Sequence, residues 1–326
     1  MYFALALIPA FLYGSMGIIL LKVGGDARQH TLGVALGSFV SATVLALVLG
    51  LDTDSTSILV AFCAGIVVGL ASYLQISAFH KIGVSRVMPL TTGGQLLGIS
   101  LLGILLFGEW LGSAALPVGL VGLALIILGV MLTSWQQKPT GGFDEGGEVV
   151  AVPYDPVAVA ARGKGSPAPV DTRPKQLVSG LIDTGLSTLF YIAFPIIIRY
   201  WEVDPLRSFF YQAFGILLVG FIVSFPFFTK QLGRVDTRWS KYTLAAMIPG
   251  GMWGLGVVIM QFSQVKVGVA VGFSLSQLSV IIATFGGIWI LGEKRTRKEM
   301  VAISVGVLVL VVGALLLGVA KCLDVA

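Results

Sequence analysis

The chain alternates between long apolar runs and short polar breaks. Ten runs come close to the ~20 residues that a helix needs to cross the hydrocarbon core of a bilayer. They cover 2–21, 31–50, 58–79, 87–107 and 115–134, then 177–198, 208–228, 243–263, 269–291 and 299–320. One segment, 135–176, breaks the rhythm. It is dense in Pro, Gly and charge and carries no apolar period. Such a composition predicts a flexible linker. The predicted architecture is all-α and integral to a membrane, with ten transmembrane helices arranged as two inverted five-helix repeats. The first repeat spans 1–134, the linker 135–176 and the second repeat 177–326.

Composition supports this reading. Hydrophobic residues make up 56% of the chain and charged residues 11%, with a mean hydropathy of +0.95. A soluble domain carries about 25% charged residues. Charge this sparse suits lipid, where helices satisfy their own backbone groups. The 42 glycines suit a bundle whose helices approach closely. Cys63 falls in the third run and Cys322 in the short tail, so no disulfide framework is expected. The chain has no Asn, hence no N-glycosylation acceptor. No basic region precedes the first run, and Pro9, Tyr13 and Gly14 interrupt it. It reads as a membrane span rather than a cleaved signal.

The net charge of +5 matters less than where the basic residues stand. Of the 21 Lys and Arg, only Arg199, Arg207, Lys266 and Lys321 lie in even-numbered connections or the tail; the other 17 lie in the odd-numbered connections, the central segment among them. Basic loops stay in the cytoplasm. The expected topology puts both termini outside and the central loop inside, in the plasma membrane. This use of the basic residues excludes a nucleic-acid patch.

The two halves resemble each other. A shift of 184 superposes Gly103 on Gly287, Gly108 on Gly292, Glu109 on Glu293 and Ser100 on Thr284. Just upstream, K-I-G-V at 81–84 echoes K-V-G-V at 266–269. Five spans per half is an odd number, so the second half must be inverted. Inverted repeats meeting at a midplane site are a common plan of secondary transporters.

The segments G-V-S-R-V-M-P-L-T-T-G-G-Q-L-L-G-I-S-L-L-G-I-L-L-F-G-E-W (83–110) and G-V-A-V-G-F-S-L-S-Q-L-S-V-I-I-A-T-F-G-G-I-W-I-L-G-E-K (268–294) are similar to the paired signatures of the glucose/ribose uptake family. That family belongs to the drug/metabolite transporter superfamily. The opening at 7–25 is similar too, with Tyr13 where Trp is expected. The resemblance covers nearly all of the chain outside the linker. It implies a bacterial ten-helix carrier that takes up a monosaccharide, glucose or ribose in type, by proton symport.

Polar side chains inside spans are costly and mark function or helix–helix bonding. A sugar site needs amides and hydroxyls for hydrogen bonds and a flat apolar face for the ring. Gln75, Thr92, Gln95, Gln212, Gln261, Ser276 and Gln277 supply the first; Tyr13, Tyr191 and Trp253 supply the second. Gln95 and Gln277, in the matched fourth and ninth spans, are the preferred pair. Pro89 with Gly93–Gly94, Pro195, and Pro249-Gly250-Gly251 are candidate helix breaks. For proton coupling Asp183, inside the sixth span, is favoured over Glu109 and Glu293, which follow glycines at helix ends and suit an anchoring role. Lys22 is a candidate ion-pair partner for either glutamate, and His80 titrates near neutrality.

Other readings stay open. The wider superfamily includes drug and metabolite exporters. A membrane-embedded enzyme lacks support, because His30 and His80 form no H-E-x-x-H motif and there is no G-x-S-x-G elbow or P-loop. No cofactor or metal is expected. The sequence leaves a homodimer open.

Overall fold

The computed structural model describes residues 2–50, 53–108, 110, 114–135, 174–225, 238–267, 276–293 and 295–325. Among the described residues the secondary structure is helical and no strand occurs. Among the described residues ten helices follow in order: α1 (Tyr2–Val23), α2 (Ala27–Leu49), α3 (Ser55–Ile82), α4 (Val84–Phe107), α5 (Ala115–Ser134), α6 (Pro174–Tyr200), α7 (Phe209–Ser224), α8 (Lys241–Val267), α9 (Ser279–Trp289) and α10 (Arg297–Val325). Seven are long and apolar enough to cross a membrane, and α1, α7 and α9 contribute shorter apolar stretches. The protein is a multi-pass membrane protein.

Local chemistry explains where several helices begin. Asp26 caps α2 by accepting from the backbone N–H groups of Arg28 and Gln29, and Gln29 answers to the Asp26 backbone. This is a capping box. Asp54 caps α3 through Ser57. Thr296 and Glu299 exchange hydrogen bonds of 2.9 and 3.2 Å at the start of α10. Helix α4 is different. It starts after Gly83, which carries no side chain to cap it.

The expected helix breaks are absorbed. Helices α4, α6 and α8 run on through Pro89, Pro195 and Pro249. The apolar run expected over 269–291 is helical from Ser279, after a turn at 277–278; residues 268–275 lie outside the described set. Gly250 and Gly251 serve packing. A Cβ on Gly250 would come within 2.4 Å of the Val34 carbonyl, so α2 and α8 touch backbone to backbone.

The halves interleave. Helix α2 packs on α7 and α8, α3 on α6 and α7, α1 on α8 and α9, α4 on α6 and α9, and α5 on α10. These partnerships keep their form when each helix is exchanged for the one five places on. Thus α2–α8 corresponds to α7–α3, α1–α8 to α6–α3, and α1–α9 to α6–α4. Helix α5 meets its own counterpart α10 through small residues, with Gly122 against Gly313 and Gly129 against Gly306. The order of these contacts makes α5 and α10 antiparallel. Loops of one parity also meet one another. His30 near the α1–α2 turn reaches His80 near the α3–α4 turn, and Glu293 before α10 reaches the start of α4.

Large apolar side chains cover the outside, among them Leu47 at 83% and Leu105 at 76% exposure. Contiguous apolar surface of this kind marks a partner or membrane face, and on helices of spanning length that face meets lipid.

Candidate functional site

The polar groups inside the bundle concentrate where α3, α4 and α6 meet. Tyr191 on α6 donates its hydroxyl to Gln75 Oε1 on α3 at 3.3 Å. Ser72, one turn earlier on α3, lies 3.1 Å from the same hydroxyl. Because the Tyr191 proton goes to Gln75, Ser72 is the donor in that contact. The Gln75 amide in turn donates to Thr91 Oγ1 on α4 at 3.4 Å. Ser187 on α6 bonds the Ala71 carbonyl at 2.9 Å. The contacts from Gln75 are long, so its amide is only loosely held and can exchange partners.

Aromatic rings adjoin this cluster. Tyr191 and Trp253 both pack on the buried patch of Ala35, Val68 and Ile216. Trp253 also faces Phe209, with ring centroids 6.2 Å apart. The Tyr13 ring lies against α8 at Gly256, where a Cβ would come within 2.6 Å of it. Tyr13 on α1 meets α8 and Tyr191 on α6 meets α3, which are corresponding helix pairs of the two halves.

Helices α4 and α9 bring the remaining candidates. Thr92 is buried and Gln95 half-buried, and neither makes a hydrogen bond among the described residues. Ser276 is buried, and the Gln277 amide lies 3.5 Å from its hydroxyl, at the limit of a bond. Gln212 is committed locally to Ser208 at 3.0 Å. Glu109 and the side chain of Gln261 lie outside the described residues.

Asp183 sits at a junction of α3 and α6. Its Oδ2 accepts from Ser77 Oγ at 2.7 Å and from Lys81 Nζ at 2.5 Å. Lys81 also donates to Ser179 Oγ at 2.9 Å. The carboxylate side chain is 13% exposed and the lysine 31%.

Glu293 lies at the start of α4. It accepts from Val84 N at 2.8 Å, from Ser85 N at 3.3 Å and from the Ser85 hydroxyl. Arg295, rather than Lys22, stands beside it, with Nη2 3.6 Å from the carboxylate. Burial lowers the pKa of the Arg295 guanidinium, and the nearby Glu293 and Glu299 work in the other direction.

His30 and His80 form a further polar contact. Nε2 of His30 donates to the Gly24 carbonyl at 2.8 Å, which leaves Nδ1 to accept from Nε2 of His80 at 3.1 Å. Sequence reasoning missed this pair, and it missed Lys81 as the partner of Asp183. Ser77 and Lys81 stand four apart on one helical face, a signal visible in hindsight. Which residue of another helix they meet is not legible from spacing.

Comparison with known proteins follows this geometry. A family model described as sugar transport protein matches residues 4–151 and 166–320. A Listeria innocua protein with the provisional name sugar uptake protein lin0215 is 35% identical, over 97% of this chain and 98% of that one. The glucose uptake protein GlcU of Bacillus subtilis is 30% identical over the same shares. A solved crystal structure shares the fold with a TM-score of 0.53 at 15% identity, covering 97% of this chain and 95% of that chain.

Proposed function

We propose that this chain, which belongs to the sugar transport protein family, carries a monosaccharide of the glucose or ribose type into the cell by alternating access, together with a proton. The observation that carries the reading is the loosely held amide and hydroxyl set Ser72, Gln75, Thr91 and Tyr191, set beside the Trp253 ring within an apolar bundle. A sugar presents the same chemistry: a ring of hydroxyls that donate and accept, and a face of C–H groups that packs on an aromatic plane. When sugar arrives, Gln75 exchanges its long internal bonds for bonds to hydroxyls. Thr92, Gln95, Ser276 and Gln277 offer further polar groups from α4 and the segment before α9.

Two inverted five-helix repeats supply the motion. The antiparallel packing of α5 on α10 and the exchange of helix partners at five-place intervals support this reading. Rocking of one set of helices against the other opens a midplane site to each side in turn. The distribution of basic loops supports both termini outside and the central loop in the cytoplasm.

Asp183 is the proposed coupling group. Ionised, it holds Lys81 and ties α3 to α6. Protonated, it becomes a donor that no longer attracts the ammonium, and the tie loosens. Proton binding is thereby linked to the freedom of two helices that also carry Gln75 and Tyr191. Uptake of labelled glucose and ribose, with and without a protonophore, tests the reading in cells lacking other uptake systems. Saturable uptake that collapses with the protonophore supports it. Uptake that survives removes the proton, and no uptake of either sugar by protein that reaches the membrane moves the assignment to export.

A further inference from the structure

We propose that Glu293 is a positioning residue for the transport site, a latch that holds the first turn of α4 to the end of α9 and releases it during the cycle. The inference rests on the sugar-uptake reading above.

Helix α4 cannot cap itself, because Gly83 precedes it. Its first N–H groups are instead satisfied by a carboxylate 209 residues away in the chain. The fold makes room for that carboxylate. A Cβ on Gly83 or on Gly287 would come within 2.8 Å of it. Glu293 and Arg295 have side chains only 6% and 5% exposed. Nε of Arg295 and Nε of Arg86 are buried without a hydrogen-bond partner among the described residues.

A permanent cap does not need this arrangement. Asp26 and Asp54 cap their own helices from the N-cap position, Asp54 on an exposed end and Asp26 half-buried beside Arg28. A buried ion pair is a poor source of stability compared with apolar packing. What it creates is a junction with two acceptable states. Closed, the Ser85 hydroxyl donates to the carboxylate and accepts from Arg295 Nη2 at 2.7 Å. Open, water satisfies each of them, and the junction lies at the end of the bundle where the basic loops run. An apolar contact has no such second state. The closed junction sets where α4 sits, and α4 carries Thr91, Thr92 and Gln95 toward the proposed site. Release of this end moves those side chains relative to Ser276 and Gln277 ahead of α9.

The test uses the full chain in liposomes, with Cys63→Ala and Cys322→Ala as background and Val84→Cys as reporter. Val84 is fully buried in the junction, and the substitution keeps the backbone N–H that Glu293 accepts. Maleimide labelling is expected to be slow without sugar and severalfold faster with saturating glucose or ribose. Adding Glu293→Gln is expected to make labelling fast without sugar, and to shift the half-saturation concentration for uptake without a matching change in maximal rate. If Glu293→Gln does not fold, Arg295→Gln removes the charge partner and leaves the cap, with the same two expectations. Labelling that ignores both sugar and substitution, with unchanged half-saturation, overturns the latch. If the unsubstituted protein transports neither sugar, the uptake reading fails; labelling that is still accelerated by Glu293→Gln supports the latch, and unaltered labelling overturns it.

Discussion

Nζ of Lys81 stands 2.5 Å from Oδ2 of Asp183, joining the last turns of α3 to the third turn of α6. Asp183→Asn keeps an oxygen for Ser77 but removes the charge that holds Lys81. The expected outcome is loss of proton-driven accumulation, with the sugar ratio across the membrane falling to equilibrium, while exchange of labelled for unlabelled sugar continues. Lys81→Met removes the opposite charge and with it the tie between α3 and α6. Uptake by this variant is expected to fall severalfold in maximal rate, measured beside Asp183→Asn at equal protein in the membrane. Accumulation by Asp183→Asn equal to that of the unsubstituted protein would remove Asp183 from coupling.

Gln75 and Tyr191 share one hydrogen bond, so their substitutions are coupled. Loss of a single neutral hydrogen bond to sugar costs about 1 kcal/mol, or roughly fivefold in affinity. Gln75→Leu and Tyr191→Phe are each expected to raise the half-saturation concentration by about that factor. The double variant is expected to fall short of the product of the two, because residues in contact do not act additively. Concentration curves for the three variants check this.

Trp253 can be probed by separating its packing from its ring. It lies between two apolar clusters that include Val68, Ile216, Phe209 and Ala213. Trp253→Ala is expected to cost about 3–5 kcal/mol and to lower both Tm in detergent and the amount of folded protein. Trp253→Phe keeps most of the volume. It is expected to keep Tm near that of the unsubstituted protein while weakening sugar affinity severalfold. An unaltered half-saturation concentration in Trp253→Phe would reduce Trp253 to packing.

Two helical glycines should respond in opposite ways. A Cβ on Gly129 would meet Leu310 N at 2.7 Å and Gly306 O at 2.8 Å, both backbone atoms. Gly129→Val is expected to force α5 from α10 and to cost about 1–3 kcal/mol or more. At Gly185 on α6 nothing lies within 4 Å of an added Cβ. Gly185→Ala is expected to be neutral or to stabilise by about 0.5–1 kcal/mol. Thermal unfolding of the two variants in the same detergent compares them directly.

Much of this protein was legible along the chain because the bilayer imposes a length and an apolar requirement on each span. Each of the ten runs overlaps a helix among the described residues, seven of them long and apolar enough to span a membrane, and capping residues such as Asp26 and Asp54 mark where helices begin. The family was legible as a resemblance, carried by the segments 83–110 and 268–294 and above all by S-L-S-Q and L-G-E-K. Helices α4 and α9, which carry or follow the matched glutamines, pack on each other. What the chain could not disclose is which polar group faces which. Gln75 finds Tyr191 from 116 positions away, Lys81 finds Asp183 from 102, and Glu293 finds Val84 from 209. Periodicity decides the face of a helix that a side chain occupies, but rotation and offset between helices decide its partner. In this bundle those are set by glycine contacts such as Gly129 on Gly306 and Gly250 on Val34. The sequence by itself therefore determined the helices, their lipid environment and the family. Only tertiary packing decided that Asp183 has a lysine, that Glu293 caps a distant helix and that Gln75 joins a polar cluster, because each depends on how closely two backbones approach.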